Sequence, residues 1–535
     1  MMDSSPRVGR IEALSRAFKA DPWLWPCMLI SVIAAVVPLW SSELLPFMDL
    51  PQHLATIRIM TDIGLPAFAP YYDTSLGSTQ YLGYYYLVQA LGALTDLETG
   101  NRLALSLYAI ALPLSVAAYM KAFGRDMAVA LLAVPFVFNT FLFMGFANYL
   151  LAIPLIFFGL AMLRALMDDF SAWRCGALSL VVVALFYSHV HAFLIYGLAA
   201  GLVGLFAGRG FHPRHWWRPA THLIPSLVLM GVWMQRSLIL AGDEAWRTGH
   251  GGRNVSPVEM RWEPLLDRFT AIPRQLLDTY RDDSDERILL ALLGLTALLL
   301  LFRRFAPSAE EISEYGASRA WLRARTPEII VAAMAVTYVL SPISYKWIWP
   351  ISHRMVPVVA LFALGMLAWR RLPLRPALLL VPMTALNLWA CQVHVDHVWD
   401  FDDEAGAVRE VVAEAEPGKR VLGLIFDRGS RVVNHAPYLH FAQYYVVERG
   451  GVASFSFVDF PQSPVAYQEA TAPPRLPNRF EWTPERFRFR THGGYYDYFL
   501  VRDAPSQAKR RPFGKDADKV TLVTRQGRWA LYKRK

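Results

Sequence analysis

Phe47-Met48-Asp49-Leu50-Pro51-Gln52-His53 follows directly on the first long apolar run of the chain. That run, residues 23–40, has about 18 residues, enough for one helical crossing of a bilayer. It ends without a small-residue cleavage site, which predicts a retained signal anchor. A helix would place Asp49 and His53, at i and i+4, on one face where the chain leaves the hydrocarbon. Ionisable groups at such a position are candidates for a functional site.

The composition predicts a protein that crosses the membrane many times. Of the 535 residues, 54% are hydrophobic and only 18% are charged, which excludes a soluble globular protein. The net charge of +9 comes largely from basic residues in short loops between apolar runs. This pattern is typical of orientation signals on one membrane face, so we expect no nucleic-acid partner. Cys27, Cys175 and Cys391 are widely spaced and are interpreted as small core residues.

The apolar runs predict about eleven membrane spans. They fall at residues 23–41, 102–120, 127–144, 146–166, 175–189, 191–207, 219–240, 287–304, 327–345, 354–369 and 374–392. All loops rich in Lys and Arg lie on one side only if a further segment, Tyr81 to Thr95, does not cross. That segment is then a juxtamembrane helix in the outer interface, the N-terminus is cytoplasmic and the C-terminus is outside.

Two domains are predicted. Residues 1–392 form a transmembrane domain with an outer loop at 41–101 and an outer amphipathic loop at 241–286. Residues 393–535 form a small extracytoplasmic α/β domain, because a helix is expected at 402–416 before an apolar strand at 420–426. Further strands are predicted at 452–457, 498–502, 520–524 and 529–533.

Asp49 has two compatible interpretations. With Gln52 three residues later, it fits a helix N-cap in a capping box, and a capped carboxylate is also a fixed one that could act as a base. His53 is a packing residue or a group that positions an acceptor or a metal. Asp73 is a turn residue or a second acid of the same site.

Two predicted outer hinges carry further candidates. His189 and His191 lie at a tight turn between two short spans, where they could bind a metal or a phosphate or be satisfied by water and backbone. The other hinge contains Lys346, His353 and Arg354. Its cations suit a lipid-linked phosphate, but they also fit an aromatic belt with snorkelling side chains.

The acidic segment Asp282-Asp283-Ser284-Asp285 contains an Asp-x-Asp pair, but it directly precedes an apolar run. It is therefore predicted to cap a helix N-terminus rather than to hold a metal–nucleotide complex. The sequence has no phosphate-binding glycine loop, no zincin motif and no nucleophile elbow. Nucleotide-driven chemistry has no visible site.

The chain resembles the GT-C superfamily of polytopic glycosyltransferases. The resemblance rests on the first span, on Asp49 and His53 followed by Arg58-Ile59-Met60 and Gly64, and on Tyr84-Tyr85-Tyr86-Leu87, Gly100-Asn101-Arg102-Leu103 and Tyr119. The Ser188-His189 hinge and Arg354-Met355-Val356-Pro357 extend it. It implies a multi-pass protein of the bacterial inner membrane with a polyprenyl-phosphate-linked sugar as donor. It leaves open a divalent metal ion and whether the acceptor is a glycan, a lipid or a protein.

The resemblance implies roles for the candidates: Asp49 as base, His53 and Asp73 in positioning the acceptor or a metal, and Arg354, Lys346, His353, His189 and His191 in binding the carrier phosphate. The leading hypothesis is thus an inverting glycosyltransferase that acts on the outer face of this membrane. The alternatives are a transporter or lipid flippase, and a scaffold whose outer domain binds a partner. Transporters usually show internal repeats and midspan charge, whereas the ionisable groups here cluster at the predicted outer rim.

Overall fold

A computed structural model gives the structure of the protein. It describes residues 22–208, 210, 212–236, 260–301, 307, 309–345, 348–367, 376–460, 462–474, 476, 480–503 and 513–535. Lys346, one of the predicted phosphate-binding residues, lies outside the described residues, as does the segment 237–259.

Helices dominate the first three quarters of the chain, and each apolar run found in the sequence overlaps a helical segment. The α-helices are Leu24–Val36, Leu50–Asp62, Gly83–Gly92, Leu97–Ala122, Thr140–Phe143, Ala147–Asp168, Ala172–Ser188, Val190–Leu202, Trp217–Ala220, Ile224–Arg236, Leu265–Thr270, Ile272–Leu277, Ser284–Leu301, Ala309–Tyr315, Ala317–Ala324, Thr326–Leu340, Met355–Leu364, Pro376–Ala405, Val408–Ala413 and Gln443–Arg449. Residues Met127–Phe138 form a long 3₁₀ segment.

The protein is a helical multi-pass membrane protein. Among the described residues, four helical segments are long and apolar enough to span a bilayer: Leu97–Ala122, Ala147–Asp168, Val190–Ala207 and Leu378–Ala413. Five shorter apolar segments accompany them: Leu24–Trp40, Met127–Phe143, Ala172–Ser188, Thr326–Leu340 and Ser352–Leu364. The total of about eleven spans stays a prediction.

The segment from Tyr81 to Thr95 contains a helix of only ten residues, Gly83–Gly92. At a rise of about 1.5 Å per residue it covers roughly half of a hydrocarbon layer. It is therefore too short to cross alone, in keeping with a juxtamembrane position.

The last part of the chain forms a five-stranded mixed sheet. The strands are β4 (Arg420–Ile425), β5 (Val452–Ala453), β7 (Tyr498–Arg502), β8 (Val520–Gln526) and β9 (Trp529–Arg534), in the order β5-β4-β7-β9-β8. β4 runs parallel to β5 and β7, and β9 is antiparallel to β7 and β8. One face of this sheet joins the large core of the membrane helices, and the other covers a small aromatic core.

The predicted helix at 402–416 is not a separate element. The membrane helix Pro376–Ala405 continues through the predicted domain boundary at 392–393. Gly406, with φ of +62°, ends it, and a short helix, Val408–Ala413, follows. The division of the chain into domains stays a prediction.

Two short ladders tie loops together. β1 (Tyr72–Thr74) pairs antiparallel with β6 (Val465–Tyr467), which joins the segment 41–101 to the C-terminal part of the chain. β2 (Met260–Arg261) pairs antiparallel with β3 (Ser344–Tyr345).

Candidate functional site

Asp49 precedes the helix Leu50–Asp62 without capping it. Its side chain accepts no hydrogen bond from the helix backbone, and its φ and ψ of −91° and 0° are not those of a capping residue. The predicted capping box is therefore wrong. Gln52 turns away from Asp49 as well: its Oε1 accepts a hydrogen bond from Phe457 N at 2.9 Å. Both polar side chains are directed at the C-terminal part of the chain.

Gly145 fixes the position of Asp49. The backbone N–H of Asp49 donates to Met144 O at 3.3 Å, and that of Met48 donates to Phe143 O at 2.8 Å. Gly145 has φ of +85°, and a Cβ at this residue would lie 2.7 Å from Asp49 N. Only glycine allows the two backbones to approach this closely.

The carboxylate of Asp49 is paired with His440. Asp49 Oδ1 lies 3.1 Å from His440 Nδ1, and Glu481 Oε2 lies 3.6 Å from His440 Nε2. Burial opposes protonation of this imidazole, but the two carboxylates outweigh it and raise the pKa of His440 to about 10. At neutral pH His440 is therefore a cation held between two acids.

Asp49 opens into a cavity of about 210 Å³, here called the Asp49 cavity. His53, His189 and Arg354 also line it, so four of the predicted site residues converge from separate parts of the chain. The rest of the lining is largely aromatic: Tyr81, Tyr85, Phe146, Asn148, Tyr149, Ile348, Trp349, Phe457, Phe460, Gln462 and Ser463. A largely apolar wall with a few convergent polar groups is typical of a ligand site.

Arg354 brings a positive charge to this cavity. Its Nη1 lies 3.1 Å from His189 Nε2, its Nη2 donates to Trp349 O at 3.1 Å, and its guanidinium carbon is 4.6 Å from the centre of the Phe146 ring. Its Nε is buried without a hydrogen-bond partner. Among the residues that the structure describes, no carboxylate forms an ion pair with Arg354. The site thus contains a cation that lacks a counter-ion.

His53 uses both of its ring nitrogens inside the protein. Its Nε2 lies 3.0 Å from Gly145 O, which only accepts, so Nε2 carries the hydrogen and Nδ1 accepts from Tyr85 Oη at 3.0 Å. Burial lowers the pKa of His53 to about 4, against the opposing effect of Asp49, so the ring is neutral. His53 therefore orients Tyr85 and supports the Gly145 turn.

Other predicted residues lie outside the Asp49 cavity. His191 stacks on the ring of Tyr149 at 6.0 Å and an interplanar angle of 17°, behind the cavity wall. Asp73 is exposed on β1, where Gln468 Nε2 approaches its carboxylate at 3.4 Å. His353 Nε2 lies 2.7 Å from Glu263 Oε2, and His353 faces a second, larger cavity.

The acidic segment at 282–285 acts as the sequence predicts. Asp282 Oδ1 accepts from Ser284 N at 3.2 Å in the first turn of the helix Ser284–Leu301. Within the described ranges, no three His, Cys, Asp or Glu side chains are grouped so as to hold a metal ion.

Sequence analysis missed His440 and Glu481. They lie far from Asp49 in the chain and in a region predicted only as an α/β domain. A histidine in the apolar context Tyr438-Leu439-His440-Phe441 gives no motif that would link it to a distant acid. The contact depends on how the C-terminal chain packs, which spacing does not reveal.

The sequence matches no protein-family model and no curated protein sequence. Solved structures are similar. ArnT from Cupriavidus metallidurans bound to undecaprenyl phosphate has a TM-score of 0.57 at 13% identity, and its apo state has 0.55 at 12%; each match covers 96% of this chain and 98% of that one. Arabinofuranosyltransferase AftD from mycobacteria has 0.50 at 15% identity, over 96% of this chain and 40% of that one. This likeness shows the fold that the chain shares with these structures.

Proposed function

Starting from a GT-C fold in which an acid and an unpaired arginine share one cavity, we propose that the chain is a membrane glycosyltransferase. It transfers a sugar from a polyprenyl-phosphate carrier to a cell-envelope acceptor, with inversion at the anomeric carbon. The observation that supports this most strongly is Arg354, a cation without a carboxylate partner in the cavity that holds Asp49. A buried or half-buried charge without a counter-ion is costly, and an anionic ligand removes that cost.

The reaction needs one base and one anion-stabilising group, and the cavity holds both. Asp49 takes the proton from the acceptor hydroxyl as its oxygen attacks the anomeric carbon. The bond from that carbon to the carrier phosphate breaks, and the phosphate leaves with the electron pair. Arg354 then stabilises the negative charge on the departing phosphate through charge-assisted hydrogen bonds.

The surroundings of Arg354 hold it in place for this role. His189 and Trp349 O contact the guanidinium edge, and Phe146 covers its face. Tyr149 packs against His189 with ring centres 5.1 Å apart.

His440 is a positioning residue in this proposal. As a cation held by Glu481, it orients the Asp49 carboxylate toward the cavity. His53 has no free nitrogen for an acceptor, so it contributes by fixing Tyr85 and the Gly145 turn. Asp73 lies outside the cavity and is not assigned a role.

The test is transfer by purified protein in lipid nanodiscs, supplied with lipid-linked sugars and acceptors extracted from the native envelope. Asp49→Asn keeps the side-chain shape and removes the base. We expect it to lower turnover by about 10²–10⁴-fold. Asp62→Asn, at the other end of the same helix and paired with Arg58 at 2.7 Å, is the control and should retain activity. A folded Asp49→Asn protein that keeps more than roughly a tenth of the turnover would exclude Asp49 as the base.

A further inference from the structure

The second cavity, called the arginine cavity here, has a volume of about 760 Å³, more than three times that of the Asp49 cavity. Met48, Thr140 and Met144 form its floor. Its walls come from residues 263–281, 349–353 and 426–436 and from Trp482. The cavity therefore lies between the membrane helices and the C-terminal part of the chain.

The charges that line this cavity do not balance. Of its two carboxylates, Asp427 forms ion pairs with Arg502 at 3.3 Å and with Arg528, and Glu263 lies 2.7 Å from His353 Nε2. An excess of positive charge therefore remains on its arginines.

Three arginines supply this excess. Arg281 Nε donates to Ser430 O at 3.2 Å, and the guanidinium of Arg428 lies 5.3 Å from the centre of the Trp482 ring. Neither forms an ion pair with a carboxylate of the described chain. Arg274 has only a long contact of 3.7 Å with Asp278.

His435 adds a second sign of a ligand. It lines the arginine cavity, and its Nε2 is buried without a hydrogen-bond partner. Burial, with Arg274 nearby, lowers the pKa of His435 to about 4, so the ring is neutral. A shielded polar atom without a partner is unfavourable, and a bound oxygen or hydroxyl would satisfy it.

The two cavities meet at shared residues. Trp349 lines both, and Met48 and Asp49, neighbours in the chain, line one each. Trp482 lines the arginine cavity next to Glu481, which contacts His440. A molecule in the arginine cavity thus lies beside the proposed base.

We propose that the arginine cavity binds the acceptor, and that the acceptor carries a phosphate or carboxylate group close to the hydroxyl that receives the sugar. A guanidinium group donates two parallel hydrogen bonds, which match two oxygens of a phosphate or carboxylate group. The anion anchors the acceptor and takes no part in bond making; the neighbouring hydroxyl gives its proton to Asp49 and its oxygen to the anomeric carbon. This proposal rests on the proposed function, whose donor occupies the Asp49 cavity.

Isothermal titration calorimetry measures binding to the arginine cavity in the absence of turnover, so it tests the acceptor site separately from glycosyl transfer. Glucose 6-phosphate is the soluble probe, neutral glucose is its control, and nanodiscs of phosphatidylcholine with or without phosphatidylglycerol test a lipid headgroup as the source of the anion. We expect glucose 6-phosphate to bind saturably and glucose not to bind. If a lipid headgroup is the source of the anion, phosphatidylglycerol should bind and compete with the sugar phosphate. This binding is measured without turnover, so a failed transferase assay does not affect it.

Arg281→Gln and Arg428→Gln, singly and together, should weaken binding by roughly tenfold or more, since hydrogen bonds to charged groups contribute strongly. Arg431→Gln is the matched control. Arg431 lies on the same loop as Arg428, its side chain is 85% exposed, and it does not line the cavity. Arg281→Lys, which keeps the charge, guards against misfolding and should bind more weakly than wild type but more tightly than Arg281→Gln. Equal binding of glucose and glucose 6-phosphate, or wild-type affinity in the double variant, would overturn the proposal.

Discussion

Arg354 and Asp49 bring opposite charges to one small cavity without pairing with each other. Asp49 is matched by His440, while the Arg354 guanidinium contacts an imidazole, a carbonyl oxygen and an aromatic ring. Each charge is thus held in place, and the arginine keeps bonding capacity for a ligand. This division of partners is what a base and a leaving-group stabiliser require.

Arg354 is proposed to bind the phosphate of the lipid-linked donor. Arg354→Lys should weaken use of the lipid-linked donor, because an ammonium group cannot form the two-pronged contact, and Arg354→Ala should be worse. Turnover of both variants measured against donor concentration checks this, and added donor should restore part of the activity if ground-state binding is the main loss. Identical donor dependence for Arg, Lys and Ala would show that Arg354 is only a belt cation.

A second prediction concerns His440 and pH. Its pKa is raised in the folded protein, so the ion pair contributes fully below the ordinary histidine pKa of about 6.5 and is lost as pH rises through about 10. We expect His440→Gln to destabilise the protein by about 3–5 kcal/mol at neutral pH, as for other broken buried pairs, and by less near pH 10. Thermal unfolding of both proteins at the two pH values measures this; an unchanged difference would contradict it.

The sequence predicted part of this site. Asp49, His53, His189 and Arg354 were found because ionisable residues stand out beside apolar runs, and they do share a cavity. The capping box failed because a side-chain pattern does not show whether a nearer partner, here His440, competes for the carboxylate. Neither His440 nor the arginines of the second cavity carry a local signal.

The positions of helices were easier to predict from the sequence than the residues at which helices and strands end. Long apolar runs leave few alternatives to a helix, and β4, β7, β8 and β9 fall where alternating or continuous apolar residues predicted strands. A strand was predicted at 452–457, but the observed strand β5 covers only Val452–Ala453. The backbone leaves the extended conformation soon afterwards, since Phe455 has a φ of +58°. Packing, rather than pattern, sets such limits.

The element that places Asp49 is the turn at Gly145. Gly145→Ala would put a Cβ 2.7 Å from Asp49 N and 2.8 Å from Asp49 Cβ at an unfavourable positive φ. Because a displacement of about 1 Å costs on the order of 10²-fold in rate, we expect transfer to fall by about that factor while insertion into the membrane stays normal. Gly294→Ala, where the Cβ would meet nothing within 4 Å, is the control and should keep wild-type transfer in the same assay. Equal activity of the two variants would contradict the role of the turn.

The resemblance seen in the sequence was confined to a few segments, whereas the match to the solved structure of ArnT covers 96% of the chain. Orientation in the membrane depends on loop charges, which the fold does not display. We predict that a reporter fused after Arg125 is cytoplasmic and that one fused after Asp400 is outside. Alkaline phosphatase and green fluorescent protein fusions measure the two sides, and a cytoplasmic Asp400 fusion would rule out a site on the outer face.

The pairing of Asp49 with His440 and Glu481 has a consequence for biogenesis. Asp49 is synthesised long before His440 and Glu481, which lie much later in the chain. During translation the nascent protein already has its first helices but not the two groups that pair around this carboxylate. The proposed function therefore predicts that a chain stalled or cleaved before residue 440 is inserted into the membrane without transferase activity.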